Sequence, residues 1–138
     1  CKVSREDIAW QAIALVEQAQ QFLPKMVTDI SIEGPKSKVV IDTKFYKEAL
    51  IKHFGQGKIR SDHLFQLNAY LTNLENKKGL NTNCSGVLLY PTVKTDLCLS
   101  FMFGNHKVTV CTINLNQDWK GIHRDLIDIL EGSLSAPL

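Results

Sequence analysis

The fold of this chain is decided by two runs of sequence, Thr28-Asp29-Ile30-Ser31-Ile32 and Val39-Val40-Ile41-Asp42-Thr43-Lys44. Both runs are rich in β-branched residues and alternate with a period of two, which is typical of strands. The Gly34-Pro35 pair between them is a strong break in regular structure. The sequence therefore predicts two adjacent strands joined as a hairpin.

Alternation along a strand places every second side chain on the same face. Asp42 and Lys44 therefore share one face of the second strand, and Asp29 lies on the face of the first that is opposite Ile30 and Ile32. In the simplest register, we expect the two aspartates and the lysine to converge on one patch. Two carboxylates inside a sheet repel each other, so the pattern predicts a divalent cation between them. Mg²⁺ prefers such hard oxygen ligands.

The order Asp, then Asp-x-Lys about a dozen residues later, is similar to the signature of PD-(D/E)XK nucleases, with Thr28 in place of the proline. In that chemistry a lysine holds or activates the attacking water, or offsets the charge that develops on the phosphate. A D-x-K triplet also arises by chance in many chains. An exposed hairpin with mixed charges is the alternative interpretation.

A helix is predicted from Ser61 to Glu75, with its first residue as N-cap and Asp62 in the first turn. Gln66 and Tyr70 are four residues apart, so they lie one above the other on the helix. A Gln-x-x-x-Tyr pair on the helix after the D-x-K strand resembles a second element of several branches of this superfamily. An ordinary polar helix flank remains the alternative, and the pattern leaves open whether Tyr70 packs or functions. A stripe of leucines follows helical spacing: Leu64, Leu67, Leu71 and Leu74.

Five segments in order together resemble the McrC family, the nuclease subunits of modified-cytosine-dependent McrBC restriction systems. The segments are Phe22–Ile30, Val40–Lys47, Leu64–Leu71, Gly86–Pro91 and Cys111–Trp119. The resemblance implies an α/β, restriction-endonuclease-like fold with a mixed central sheet flanked by helices. It also implies a Mg²⁺-dependent endonuclease that hydrolyses DNA phosphodiesters.

The resemblance implies a role for each candidate site residue. Asp29 and Asp42 coordinate Mg²⁺, joined by the backbone carbonyl of Thr43. Lys44 positions or activates the water. Gln66 orients Lys44, the water or the phosphate.

The resemblance also implies partners. McrC acts on DNA with McrB, a GTP-hydrolysing AAA+ motor that recognises modified cytosine, so GTP would bind only to the partner. The sequence has no phosphate-cradling glycine motif, in agreement with this expectation. Two alternatives remain: a non-catalytic, nuclease-like regulator that stimulates the partner GTPase, and a nuclease of the same fold with a repair or resolvase partner. The segments that begin at Gly86 favour the McrC family.

The 138 residues provide one domain with a moderate core, and the hydrophobic fraction of 44% is ordinary for a globular protein. We expect residues 1–138 to be a single nuclease domain, as a fragment that lacks an upstream helix and an N-terminal partner-binding region. Glu17 is a candidate substitute for the acid of that helix, although a solvated carboxylate is the simpler interpretation. Periodicity favours a helix from Ile8 to Phe22, whereas the resemblance predicts a short strand near Asp7 to Gln11.

The net charge of +2 does not by itself indicate a nucleic-acid partner. No run approaches the roughly 20 apolar residues of a membrane span, and no signal peptide is visible. We therefore expect a soluble, cytoplasmic protein that contacts no membrane. The four cysteines form no metal-ligand cluster and are expected to be reduced thiols: Cys1, Cys84, Cys98 and Cys111.

The remaining elements follow from local patterns. Gly86 to Tyr90 is predicted as a buried strand ended by proline, and Gly104-Asn105 as the turn of a hairpin. Asp118 or Asn116 is expected to cap a final helix that ends at Gly132. A connection from Phe45 to Arg60 either contacts DNA or is a plain solvated loop, and it carries Lys47, Lys52, His53, Lys58 and Arg60. His53 and His63 are expected at the surface.

Overall fold

The computed structural model describes residues 1–45, 59–92 and 96–134. Its strands are β1 (Lys2–Ser4), β2 (Asp7–Ile8), β3 (Met26–Val27), β4 (Ile30–Glu33), β5 (Lys38–Thr43), β6 (Ser85–Thr92), β7 (Cys98–Phe103) and β8 (His106–Asn114), and its α-helices are α1 (Ser61–Leu74) and α2 (Trp119–Ser133). Short 3-10 helices span Glu17–Phe22, Glu75–Lys77 and Gly79–Asn83.

The main sheet has six strands in the order β1-β4-β5-β6-β8-β7, and β2 pairs separately with β3. The central pairs β5–β6 and β6–β8 are parallel, whereas β1–β4, β4–β5 and β7–β8 are antiparallel. The predicted α/β fold with a mixed sheet flanked by helices is confirmed.

The predicted hairpin forms between β4 and β5, with Ile30 opposite Ile41. Its faces alternate as expected, because Ile30 and Ile41 pack in one apolar cluster and Val40 packs in the other. The first strand begins two residues later than predicted. The Thr28 hydroxyl accepts from the Glu6 backbone N–H (2.9 Å), and such local bonds compete with a strand ladder.

Each face of the sheet is covered by one α-helix. The predicted leucine stripe of α1 is confirmed, because Leu67, Leu71 and Leu74 are fully buried against one face. Helix α1 begins at Ser61 rather than after it, and its N-cap residue is Arg60, which makes no side-chain capping bond. The predicted Ser61 cap is therefore wrong by one residue.

Helix α2 covers the other face of the sheet. Of the two predicted caps, Asp118 is the N-cap, since its side chain accepts from the Gly121 N–H (2.7 Å). The helix ends at Ser133, one residue after the predicted end. Four of its apolar residues pack inward as expected: Ile122, Leu126, Ile129 and Leu130.

The buried strand β6 and the hairpin β7–β8 are confirmed. Strand β6 continues through Pro91 instead of ending before it. In the hairpin, Gly104 has a φ of +59°, which suits a glycine in a tight turn.

The expectation of four reduced thiols is wrong for two cysteines. Cys98 and Cys111 stand directly opposite each other in β7 and β8, with Cα atoms 4.2 Å apart, and are joined by a disulfide. This spacing is typical of a close antiparallel pair and lies just below the usual range for disulfides. Cys1 and Cys84 are free, and burial raises the pKa of Cys84 to about 12.

The N-terminal region agrees with the alternative that the resemblance predicted, a short strand near Asp7. The strand β2 covers Asp7–Ile8, and the continuous α-helix that periodicity favoured from Ile8 to Phe22 does not form, since only Glu17–Phe22 is helical, as a 3-10 helix. Strand β1, which pairs with β4, was not predicted. Within the described part of the chain, no helix is long and apolar enough to cross a membrane. The predictions for Lys47, Lys52, His53 and Lys58 fall outside the described residues.

Candidate active site

The candidate site lies at the carboxyl end of β5, where this strand leaves the sheet beside β6. The backbone N–H of Lys44 donates to the carbonyl of Leu89 (2.9 Å) and so continues the parallel pairing for one residue beyond the strand. Ligand sites of α/β sheets form outside the carboxyl ends of parallel strands. The fold thus places the D-x-K triplet at the edge where chemistry is expected.

Asp29 precedes β4 and reaches across the open end of the hairpin. Its Oδ2 accepts from the backbone N–H of Thr43 (2.8 Å) and from the Thr43 hydroxyl (2.9 Å). The aspartate is therefore fixed next to Asp42 by two hydrogen bonds. The two aspartates and Lys44 come together as the alternation predicted.

Asp42 and Lys44 form a buried ion pair, with exposed fractions of only 2% and 7%. The Lys44 Nζ lies 2.6 Å from Asp42 Oδ2. The approach is off the hydrogen-bonding direction, so this buried oxygen accepts no well-directed hydrogen bond from the described residues. The pair leaves a carboxylate oxygen that is close to one cation and incompletely satisfied.

The pKa of Asp42 is raised above its usual range. Burial is the main cause, Lys44 opposes it, and the charge of Asp29 raises the pKa further. The ionised form of Asp42 is thus disfavoured in the fold. An added cation would favour that ionised form.

Helix α1 contributes Gln66 and Tyr70 to the same site. Lys44 Nζ donates to Gln66 Oε1 (2.7 Å), and Gln66 Nε2 donates to the Tyr70 hydroxyl (2.8 Å). The two bonds together fix which end of the amide faces the lysine. Tyr70 is also buried in the apolar core, so it both packs and holds Gln66.

One further polar pair lies on the same face of the sheet and was missed by sequence reasoning. His63 Nδ1 and the Tyr90 hydroxyl are hydrogen bonded at 2.7 Å, and both side chains are buried. The expectation that His63 is a surface residue is wrong. A signal was present, since His63 stands four residues before Leu67 and so belongs to the buried stripe of α1.

The residues present suit Mg²⁺ by their chemistry. No group of three or more His, Cys, Asp or Glu that could hold a metal is found among the described residues, but Mg²⁺ often takes only one or two carboxylates and keeps several waters. Asp29, Asp42 and the carbonyl of Thr43 are oxygen donors of that type. Their assignment as ligands stays a prediction. Glu17, the suggested substitute acid, is exposed in a 3-10 helix.

Comparison with known proteins bears on the family. The chain is 34% identical over 128 residues to the type IV methyl-directed restriction enzyme EcoKMcrBC of Escherichia coli (strain K12), and the match covers 93% of the chain. This chain is McrC-like. It spans 36% of the length of that relative, so the similarity concerns a partial region. No family model matches the sequence.

The match confirms the resemblance that the five segments predicted. With the restriction-endonuclease-like sheet also in place, the McrC-like chain is related to a restriction enzyme and has an α/β fold consistent with nucleases of that class.

Proposed function

We propose that this McrC-like chain is the nuclease region of a modification-dependent restriction system and hydrolyses DNA phosphodiesters. The observation that carries the proposal is the position of the Lys44 ammonium group, which lies between the Asp42 carboxylate and the Gln66 amide oxygen at 2.6 and 2.7 Å. A buried ion pair is weak evidence for a stabilising role, because apolar residues of similar volume often serve as well. A catalytic role explains why charged groups are present here.

Asp29, Asp42 and the backbone carbonyl of Thr43 would hold Mg²⁺. When bound there, the cation would supply a Lewis acid at the phosphate. Asp29 is held in position for this role, because its Oδ2 accepts two hydrogen bonds from Thr43. Its carboxylate is near enough to Asp42 for its charge to raise the pKa of Asp42.

Lys44 is the group that would act on the water or the phosphate. Its ammonium group has three N–H donors. Among the described residues, one donor bonds Gln66, and the ammonium group forms an ion pair with Asp42. A further donor would orient the attacking water or bond a phosphate oxygen, so that Lys44 stabilises the charge that develops during hydrolysis.

The proposed partners follow from the relative, a methyl-directed restriction enzyme. We assign target choice and GTP hydrolysis to a McrB-like AAA+ motor and place the reaction in the cytoplasm. Residues 1–138 form one nuclease domain in this proposal, and the motor-binding region is not assigned to any of them.

The test compares Asp42→Asn with Asp62→Asn in the full-length subunit that carries this region, with the motor, GTP, Mg²⁺ and cytosine-methylated DNA. Asp62 is the control because it is an exposed carboxylate on α1, paired with Arg60. Asp42→Asn should lower the cutting rate by about a hundredfold or more, as expected when a group that acts in the transition state is lost. Asp62→Asn should cut like the wild type. Equal cutting by wild type and Asp42→Asn would contradict the proposal.

A further inference from the structure

The buried pair His63 and Tyr90 is not used in the proposed hydrolysis, yet it stands next to the residues that are. Tyr90 directly follows Leu89, whose carbonyl accepts from the Lys44 backbone N–H. Its ring packs in the same apolar cluster as Val40 and Leu88, on the α1 side of the sheet. This is the side on which Lys44 meets Gln66. The tyrosine therefore lies on the strand adjacent to the triplet and on the same face.

His63 lies in the first turn of α1, three residues before Gln66. Residues three apart on a helix are neighbours on its surface. The histidine thus joins the helix to β6 one turn before Gln66 joins it to Lys44. The two hydrogen bonds, His63 to Tyr90 (2.7 Å) and Lys44 to Gln66 (2.7 Å), are successive links between the helix and the sheet.

The start of α1 needs such a link. Within the described ranges, its N-cap Arg60 makes no side-chain capping bond, and it pairs with Asp62 on the exposed side of the helix. Helix starts without a cap fray readily, because their first N–H groups lack partners. The buried hydrogen bond from His63, the third residue of the helix, to Tyr90 in a central strand restrains how this first turn is rotated about the helix axis and how far it lies from the sheet. The rotation of the turn and its distance from the sheet decide whether the Gln66 amide reaches Lys44.

We propose that His63 and Tyr90 are positioning residues for the hydrolysis, which act by holding the first turn of α1 so that Gln66 orients Lys44. The inference rests on the proposed function. Displacing a positioned group by about 1 Å can lower a rate by up to about a hundredfold, so a pair of this kind influences cutting without touching DNA or metal.

The experiment is a double-mutant cycle on the cutting rate in the full-length subunit with its motor, GTP and Mg²⁺. Tyr90→Phe removes only the hydroxyl and should lower the maximal cutting rate by about tenfold, with the DNA concentration for half-maximal rate unchanged. If Tyr90 acts through Gln66, adding Tyr90→Phe to Gln66→Ala should lower the rate no further. If the fold losses of Tyr90→Phe and Gln66→Ala multiply in the double variant, the inference is wrong. A Tyr90→Phe variant that cuts like the wild type would also overturn it.

Three further variants separate positioning from loss of folding. Thr109→Val is the matched control, because Thr109 is a buried sheet residue whose hydroxyl bonds Ser100 (3.1 Å) beyond β6. It should cut like the wild type, and a loss equal to that of Tyr90→Phe would contradict the inference. His63→Leu should lower the cutting rate by about tenfold, as Tyr90→Phe does, and His63→Asn, which keeps a polar group near the Nδ1 position, should restore most of it. Equal cutting by these two would also contradict it. A wild type that never cuts would instead refute the proposed function.

Discussion

Lys44 and Gln66 join the sheet to the helix through one 2.7 Å hydrogen bond between Nζ and Oε1. The lysine comes from the end of β5 and the glutamine from the second turn of α1, 22 residues away along the chain. The bond fixes a flexible side chain whose ammonium group also lies 2.6 Å from the carboxylate of Asp42. The glutamine is therefore the residue through which the helix controls the position of the lysine.

Gln66→Ala should lower the cutting rate by about tenfold to a hundredfold, because the lysine loses the acceptor that orients it. The fold should be retained, since Gln66 lies on an exposed part of the helix. The rate is measured on methylated DNA at saturating concentration. Asn68→Ala, at an exposed position of the same helix, is the control and should cut like the wild type. A Gln66→Ala rate within twofold of the wild type would contradict the role given to Gln66.

Asp42→Asn should change the pH dependence of stability. Because burial raises the folded pKa of Asp42, the stability that this group contributes is fully present at low pH and is lost as pH rises through the folded pKa. Asparagine resembles the protonated acid at every pH. The free energy of unfolding of Asp42→Asn minus that of the wild type should therefore increase from acid to neutral pH without added metal. Denaturant titrations at several pH values measure it, and a difference that falls with pH would contradict the burial argument.

Glu6→Gln should give the opposite trend. Partial burial acts to raise the pKa of Glu6, but hydrogen bonds and charges from Lys38 and Lys77 outweigh it, so the pKa lies below its usual value. A lowered folded pKa gives stability that is present above the unfolded pKa and is lost as pH falls through the folded pKa. The substitution should lower stability by about 1 kcal/mol at neutral pH, after allowance for solvent screening. The loss should shrink in acid.

The control for this measurement is Glu17→Gln, since Glu17 is an exposed carboxylate in the N-terminal 3-10 helix. It should leave the free energy of unfolding within about 0.5 kcal/mol of the wild type. A Glu6→Gln loss that stays constant from neutral to acid pH would show that the ion pairs with the two lysines are not its source.

Gly86→Ala should destabilise the contact between α1 and β6. An added Cβ would lie 2.8 Å from Leu71 Cδ1 and 3.1 Å from Leu67 Cδ2, so these buried leucine side chains must move or the helix must shift away from the strand. Overpacking of this kind costs about 1–3 kcal/mol. Gly132→Ala is the matched control, because nothing lies within 4 Å of its added Cβ and it is in a helix. It should stabilise by up to about 1 kcal/mol. Equal effects of the two alanines in thermal unfolding would contradict the close approach.

The placement of most candidate site residues was predictable, because it depends on local periodicity. Alternation in β5 puts Asp42 and Lys44 on one face, and helical spacing puts Gln66 above Tyr70. Pairings between distant segments were not predictable in the same way. The disulfide between Cys98 and Cys111 depends on the register of a hairpin, in which a shift of one residue would separate the two side chains.

His63 and Tyr90 show the same limit within the site. The histidine could be placed on the buried stripe of α1 by counting, but the sequence carries no signal that its partner is a tyrosine 27 residues later in a central strand. Strand β1 was missed because three residues, Lys2 to Ser4, are too few for a pattern. Its pairing with β4 is a tertiary contact.

The most direct test of the central claim compares the wild type with Lys44→Ala for cutting of cytosine-methylated DNA and for GTP turnover in the same reaction, with the full-length subunit, the motor and Mg²⁺. Lys107→Ala is the control, because Lys107 lies on β8, two strands away from β5, and its Nζ donates to the carbonyl of Gly132 instead (2.8 Å). The account predicts that Lys44→Ala loses cutting but still stimulates GTP hydrolysis, whereas Lys107→Ala retains both cutting and stimulation. A wild type that stimulates GTP hydrolysis but never cuts, or a Lys44→Ala variant that cuts at the wild-type rate, would contradict it.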